Sequence, residues 1–407
     1  MAHKTAYVVN QGCRKNMQIG ELFKQYFSAN NVKLVDSISE AELILVNTCG
    51  FDQGAEDRSI AAIQEVYTQK RPESEVIVAG CLPSINQDRV TKIHSGPMIS
   101  QRSYRTIEQY VLPENVSIDA LPFPNVIVIP TVLERAKALY ARTRSLPRVT
   151  KYLLERARDY TLGLHHWSTG FYDKKTWVIK ISDGCLNHCT FCAIPSAVGK
   201  LHSRSIDDIV EEFHQGLSNG FRKFALITDD AGAYGRDIST SIPTLLETLL
   251  TTEGNYRLSI GNLNPRWFIR EYHELEPFLV DERVSEVCLP IQSGNNRILN
   301  LMGRLHTIEP FVTYVKDLRR NSSKLRINTQ VIVGFPTETE EEFQDTCDLL
   351  TGLRFDLVDA FKYADRPGTL GARFEPKVPE EDKNVRYNIL QKQLRRIALG
   401  KRLLGRR

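Results

Sequence analysis

The chain has 407 residues, more than one hydrophobic core usually supports, so two or three domains are expected. Apolar residues make up 42% and charged residues 25%, ordinary for a globular chain, and there is no apolar run of about eighteen residues to cross a membrane. The net charge of +4 is mild, which excludes a chain defined by a single strong charge.

In chain order, "MAHKTAYVVNQGC" moves straight into a strand-like pattern with no charged-then-apolar leader, so a cytoplasmic location is the expectation. In a reducing compartment clustered cysteines bind metal or do chemistry more often than they form disulfides. Three apolar runs each end in a cysteine: "AYVVNQGC" at Cys13, "ELILVNTC" at Cys49 and "EVIVAGC" at Cys81. Helix-like stretches, "NMQIGELFKQYFSANN" and "GAEDRSIAAIQEVYTQK", separate them. Strand, helix, strand, helix, strand predicts a doubly wound parallel sheet with right-handed crossovers. Parallel strands end on one edge, where open α/β sheets bind ligands, so three distant cysteines are expected on one rim. The run "NVIVIP" is expected to close this domain near residue 130.

Residues 131–175 read as a basic helical connector. Positions 133–158 carry eight Lys/Arg against two Glu. The C-terminal "KQLRRIALGKRLLGRR" has no acid. Basic residues on a solvated helix face account for both, although an anionic partner would also fit.

From residue 176 to 407 a second alternation runs through "WVIKIS", "KFALITD", "YRLSIGN", "EVCLPIQ", "RINTQVIVGF" and "FDLVDAFKYA". Helical stretches lie between them, one opening with Thr339 and Glu342 spaced as a capping box. The α/β class is thus expected throughout, with a partial β/α barrel whose functional residues sit at strand C-termini. Directly after its first strand comes "GCLNHCTFCAIP", with Cys185, Cys189 and Cys192 inside eight residues. Zinc would want four ligands, usually two CxxC-like pairs or a nearby His pair, and no complete fourth-ligand motif accompanies the three cysteines. A cubane cluster held by three thiolates leaves one iron open to an external molecule. His188 reads as a solvent-facing loop residue, and Cys288 and Cys347 as core thiols.

The triplet, with Phe191 before its last cysteine, resembles the radical S-adenosylmethionine (radical SAM) superfamily. "GCRKN", "VNTCGF" and "AGCLP" are similar to the N-terminal cluster domain of methylthiotransferases, and "KISDGCLNHCTFCAIPSAVGKLHSR", "PIQSGNNRILNLMGR", "VIVGFPTETEEEF" and "FKYADRPGT" to their radical SAM, TIM-like domain. The resemblance implies two [4Fe–4S] clusters. Cys185, Cys189 and Cys192 would hold the one that binds and cleaves SAM, and Cys13, Cys49 and Cys81 an auxiliary one. It implies conversion of C–H to C–S–CH₃, with electrons from a flavodoxin- or ferredoxin-like donor. Gln292 and Ser293 at a strand end, and Val333 and Gly334 in "VIVGFP", would meet SAM, together with Phe191 and Asp229. A plain turn is the alternative at Gly334, and turn capping at Asp229 and Asp230.

Three departures stand out. The chain stops at Arg407, near where the family's RNA-binding TRAM domain would begin. Val198 stands where arginine is expected, and Asp229 and Gln330 where glutamine and aspartate are expected. On these grounds a peptide, protein or small-metabolite substrate is the expectation, with tRNA as the alternative. Other readings are a radical enzyme giving a different sulfur or methyl product, or a non-catalytic iron–sulfur scaffold.

Overall fold

The computed structural model describes residues 3–127, 175–403 and a few positions between. The basic connector expected over 131–175 lies, but for those few positions, outside the described residues.

The first sheet holds β1 (Thr5–Asn10), β2 (Lys33–Leu34), β3 (Leu43–Thr48), β4 (Glu75–Gly80) and β5 (Met98–Ser100) in the order β2-β1-β3-β4-β5. All its pairings are parallel. Helix α1 (Arg14–Ala29) and helix α2 (Gln53–Gln69) are the crossovers after β1 and β3. Every residue of β3 is buried, as expected of a central strand covered on both faces. Phe23, Tyr26 and Phe27 of α1 pack on one face of the sheet with Leu43, Leu45 and Ile77. Ile63 and Val66 of α2 pack on the other with Ile44, Val46 and Val78. The strand register therefore sends alternate residues of β3 to opposite helices.

Of "NVIVIP", expected to close this domain near residue 130, only the first three residues are described, and they join no strand of this sheet. Its described part, Asn125 to Ile127, runs along the barrel instead. Asn125 O accepts from Val178 N–H at 2.8 Å, and Ile127 packs with Val178, Ala225 and Ile227. The sheet is closed by the three-residue β5.

The second sheet holds β6 (Thr176–Lys180), β9 (Lys223–Ile227), β10 (Arg257–Asn262), β11 (Val284–Cys288), β12 (Arg326–Val333) and β13 (Leu357–Lys362), in the order β13-β12-β11-β10-β9-β6. All six are parallel, the open barrel that the alternation predicts. A small antiparallel pair, β7 (Ser182–Asp183) and β8 (His202–Ser203), brackets the cysteine triplet. The outer face of the barrel is sealed by helices over a core that includes Phe213, Phe224, Tyr256, Phe268 and Phe311. The helix over Glu340–Leu353 begins with the capping box expected from Thr339 and Glu342.

The two domains are packed together. Met17 of α1 rests on Val178, Ala225 and Ile227, on the barrel's inner face. Cys81 and Ile85 meet Ala193, Ala197 and Val198 of the turn and short helix after the triplet. So Val198 serves an apolar interdomain contact.

Candidate active site

Three strands of the first domain, β1, β3 and β4, each deliver a cysteine to the same rim. Cys13 is the N-cap of α1, Cys49 follows β3, and Cys81 follows β4. Gly12 has φ of +109°, and a Cβ there would lie 2.5 Å from Cys49 Cβ. Only glycine permits that approach of the Cys13 and Cys49 segments. Buried polar side chains then fix the three backbones. Asn16 Nδ2 donates to Gln11 O at 2.7 Å and to Thr48 O at 3.1 Å. Ser59 Oγ accepts from Cys49 N–H at 2.9 Å and donates to Cys49 O at 3.0 Å. The Cys81 thiol donates to Gln101 Oε1 at 2.5 Å.

The three thiols are inequivalent. A hydrogen bond from the Cys49 thiol, the Asn16 N–H and the Lys15 charge outweigh burial and draw Cys13 down to about 7. Its bond to Cys13, with burial added, drives Cys49 well up. Burial first, then the charges of Cys13 and Asp229, drive Cys81 well up against the opposing charge of Lys15.

Across the interface, the triplet follows β7 at the C-terminal mouth of the barrel. Gly184 has φ of +83°, and a Cβ there would stand 2.2 Å from Lys200 O. Cys185 Sγ accepts from Asn187 N–H at 3.4 Å and from Asn187 Nδ2 at 3.0 Å. Arg304 Nη1 donates to Cys189 Sγ at 3.5 Å, while its Nη2 donates to Pro290 O at 2.6 Å. The surrounding protein pushes Cys185 and Cys192 up to about 12. His188 is exposed, and Cys288 and Cys347 are buried, as expected.

Asp229 and Asp230, at the end of β9, turn to different partners. Asp230 is 2% exposed. It accepts from Asn187 Nδ2 at 2.5 Å, Trp267 Nε1 at 3.0 Å, Gly232 N–H at 3.1 Å and Asn264 N–H at 3.2 Å. Burial still raises its carboxyl above the usual range. Asp229 accepts from Lys15 Nζ at 2.5 Å and Gly184 N–H at 2.8 Å. Lys15 lies two residues beyond Cys13 and Gly184 adjoins Cys185, so Asp229 ties the two cysteine-bearing segments together.

The donors fit iron–sulfur ligation. Soft thiolates carry N–H bonds from amide and guanidinium groups, which suit an anionic sulfur bound to iron. Among the described residues no three His, Cys, Asp or Glu side chains stand where one metal ion could be held. A cluster whose thiolates bind different irons does not ask that of them.

The expected SAM contacts divide. Phe191 packs with Ile298, Met302, Phe335 and Tyr363 below the triplet. Gln292 holds φ of +75° in the turn after β11, and bridges Val331. Ser293 is fully buried, with Oγ 3.4 Å from Thr346 Oγ1 on the helix side. Val333 also faces the helices, in the barrel's outer core. Strand alternation places these two side chains behind the sheet, leaving only their backbone to reach a ligand. Gly334, at φ of +72°, donates its N–H to Glu338 at 2.8 Å, and a Cβ there would meet Lys383 Cγ at 2.4 Å. Its demand for glycine is thus met by the turn itself. Lys15, Ser59, Gln101, Asn187 and Arg304 were not anticipated. Lys15, Asn187 and Arg304 lie inside the segments that carry the resemblance, the only sequence signal for them.

Comparison with known proteins agrees with this geometry. Residues 179–350 match the radical SAM superfamily, and residues 5–99 match "Uncharacterized protein family UPF0004". The chain is 31% identical over 370 residues to a probable threonylcarbamoyladenosine tRNA methylthiotransferase of Pyrococcus horikoshii, covering 91% of this chain and 79% of the relative. It is 28% identical over 414 residues to a tRNA-2-methylthio-N(6)-dimethylallyladenosine synthase of Desulfotalea psychrophila, covering 98% and 85%. Among solved structures, the radical S-adenosylmethionine methyltransferase TsrM of Kitasatospora setae superposes with a TM-score of 0.56 at 13% identity, covering 91% of this chain and 77% of that one. That likeness speaks for the fold.

Proposed function

The chain belongs to the radical SAM methylthiotransferases, enzymes that use SAM and [4Fe–4S] chemistry, and on that premise we propose that it carries two clusters and methylthiolates an adenosine of tRNA. The observation that carries the reading is Asp229 joining the two cysteine-bearing segments, through Lys15 near Cys13 and Gly184 beside Cys185, in a chain so similar to tRNA methylthiotransferases.

Cys185, Cys189 and Cys192 hold the SAM-binding cluster, and Cys13, Cys49 and Cys81 the auxiliary one. Bound there, these groups supply one-electron cleavage of SAM to methionine and a 5′-deoxyadenosyl radical, and a site where sulfur is held for methylation by a second SAM. The protein's own part is placement. Asn187 and Arg304 orient the triplet's sulfurs. The turn at Gln292 and the Phe191 wall border the mouth on the SAM side. The apolar contact of Cys81 and Ile85 with Ala193, Ala197 and Val198 keeps water from the seam.

The expectation of a peptide or small-metabolite substrate gives way to tRNA, because the relatives just described carry tRNA names. Around Trp267, three guanidinium groups gather: Arg236 at 3.8 Å, Arg266 at 4.4 Å and Arg270 at 5.3 Å from the ring centroid. Trp267 itself touches Asp230, so the cluster lies close to the mouth; Arg236 is paired with Glu271, which leaves the charges of Arg266 and Arg270 to suit a polyanion.

The test uses anaerobically reconstituted protein. About eight irons per chain, 5′-deoxyadenosine on reduction with SAM, and a methylthioadenosine in nuclease-digested tRNA are the expected results. About four irons would sink the two-cluster reading. Full clusters and 5′-deoxyadenosine with no change in tRNA would return the substrate to the peptide or metabolite class.

A further inference from the structure

One oxygen of Asp229 joins the two cysteine-bearing segments. Oδ2 accepts from Lys15 Nζ at 2.5 Å and from Gly184 N–H at 2.8 Å. Lys15 is two residues beyond Cys13, on the first domain, and Gly184 adjoins Cys185 on the barrel. Lys15 also pairs with Asp183 Oδ1 at 2.8 Å, and Lys180 Nζ holds the other oxygen of Asp183 at 2.9 Å. The Lys15 side chain is only 8% exposed, and that of Asp229 15%.

Well-packed apolar residues could join two domains here at no loss of stability, since desolvation offsets much of a buried ion pair's attraction. What a buried pair adds is direction. Lys15 must reach Asp229 and Asp183 together, which admits one placement of the α1 N-terminus over the barrel. Nearby apolar contacts do not impose that. Met17 meets Val178, Ala225 and Ile227 through aliphatic surface that carries no directional bond. Chemistry that starts at one centre and ends on sulfur held at the other depends steeply on their separation and alignment.

We infer that Lys15 and Asp229 form an interdomain clamp that positions the Cys13, Cys49, Cys81 trio against the Cys185, Cys189, Cys192 triplet. They are positioning residues, and their purpose rests on the two-cluster reading. The clamp's mechanics can be measured without it.

The test compares Asp229→Asn, Lys15→Met and Lys15→Arg with the wild-type holoprotein. Asp229→Asn keeps an acceptor for Gly184 and loses the charge. Lys15→Met leaves the Asp229–Gly184 bond in place. Hydrogen exchange is expected to quicken about tenfold in peptides spanning residues 13–18 and 183–189 in both variants, and not in the strands of either sheet. Lys15→Arg should restore slow exchange. In reduced samples the magnetic interaction between the clusters should weaken, and 5′-deoxyadenosine formed per methylthio product should rise severalfold while iron content stays constant. Unchanged exchange in both segments, or a Lys15→Arg no slower than Lys15→Met, overturns the clamp. If Asp229→Asn fails to retain iron, Lys15→Met alone decides by the same exchange criterion. A four-iron protein would sink the two-cluster reading while exchange still judged the clamp.

Discussion

At the scale of single residues, the inner face of the barrel holds a carboxyl group out of its usual state. Glu286 is 1% exposed on β11, where it accepts from Asn328 Nδ2 at 2.5 Å. Burial, only partly opposed by the charges of Arg326 and Arg14, pushes it from 4.5 up to about 9. The folded chain therefore binds this proton more tightly than the unfolded chain does. The stability it confers is complete below pH 4.5 and is lost as pH rises towards 9, by at most about 1.4 kcal/mol per pH unit. Glu286→Gln removes the titration but keeps the shape. The melting temperature of Glu286→Gln should pull ahead of wild type steadily between these limits. A gap that stays constant with pH would show that Glu286 does not titrate there.

At the scale of elements, the Glu340–Leu353 helix shows how a local signal becomes structure. Thr339 Oγ1 accepts from Glu342 N–H at 3.3 Å, and Glu342 Oε2 accepts from Thr339 N–H at 2.9 Å. Thr339→Ala removes one of these and should cost about 1 kcal/mol, seen as a drop of a few degrees in melting temperature. No drop would mean that Arg297, which also holds Glu342, maintains the helix start alone. Such signals, and long apolar runs, were legible: all six barrel strands and the three cysteine-bearing strands fall where the runs predict. Two-residue β2 and three-residue β5 were not, because so few edge residues carry no periodicity. "NVIVIP" has the composition of a strand, yet its first residues pair with the barrel. Sequence pattern marks the readiness of a segment to pair, while the tertiary surroundings choose its partner. Cys13, Cys49 and Cys81 were legible as a trio because parallel strands end together. The bond from Lys15 to Asp229 was not, since it joins residues 214 positions apart on two domains whose docking no local pattern specifies.

At the scale of the whole molecule, a second tie supports the interface. Glu56 of α2 is 1% exposed. It lies between Arg366 of the barrel, to which it is bonded directly, and Arg89 at 2.7 Å, with Asn86 Nδ2 donating at 2.9 Å. Glu56→Gln would leave a buried guanidinium without its counter-charge. A loss of about 3 kcal/mol follows, and denaturant unfolding should separate into two transitions as the domains uncouple. A single unshifted transition would show that the apolar seam suffices. The two trios also differ in how much of the fold they require. Cys185, Cys189 and Cys192 lie within eight residues, so a nascent or partly folded chain already presents them as one chelating loop. Cys13, Cys49 and Cys81 are more than thirty residues apart from one to the next. Bringing them together in an open chain carries the entropy of closing two long loops. That cost is met only once the parallel sheet has formed, so on the proposed two-cluster reading maturation would have a built-in order, with the barrel receiving its inorganic centre first and the N-terminal domain afterwards.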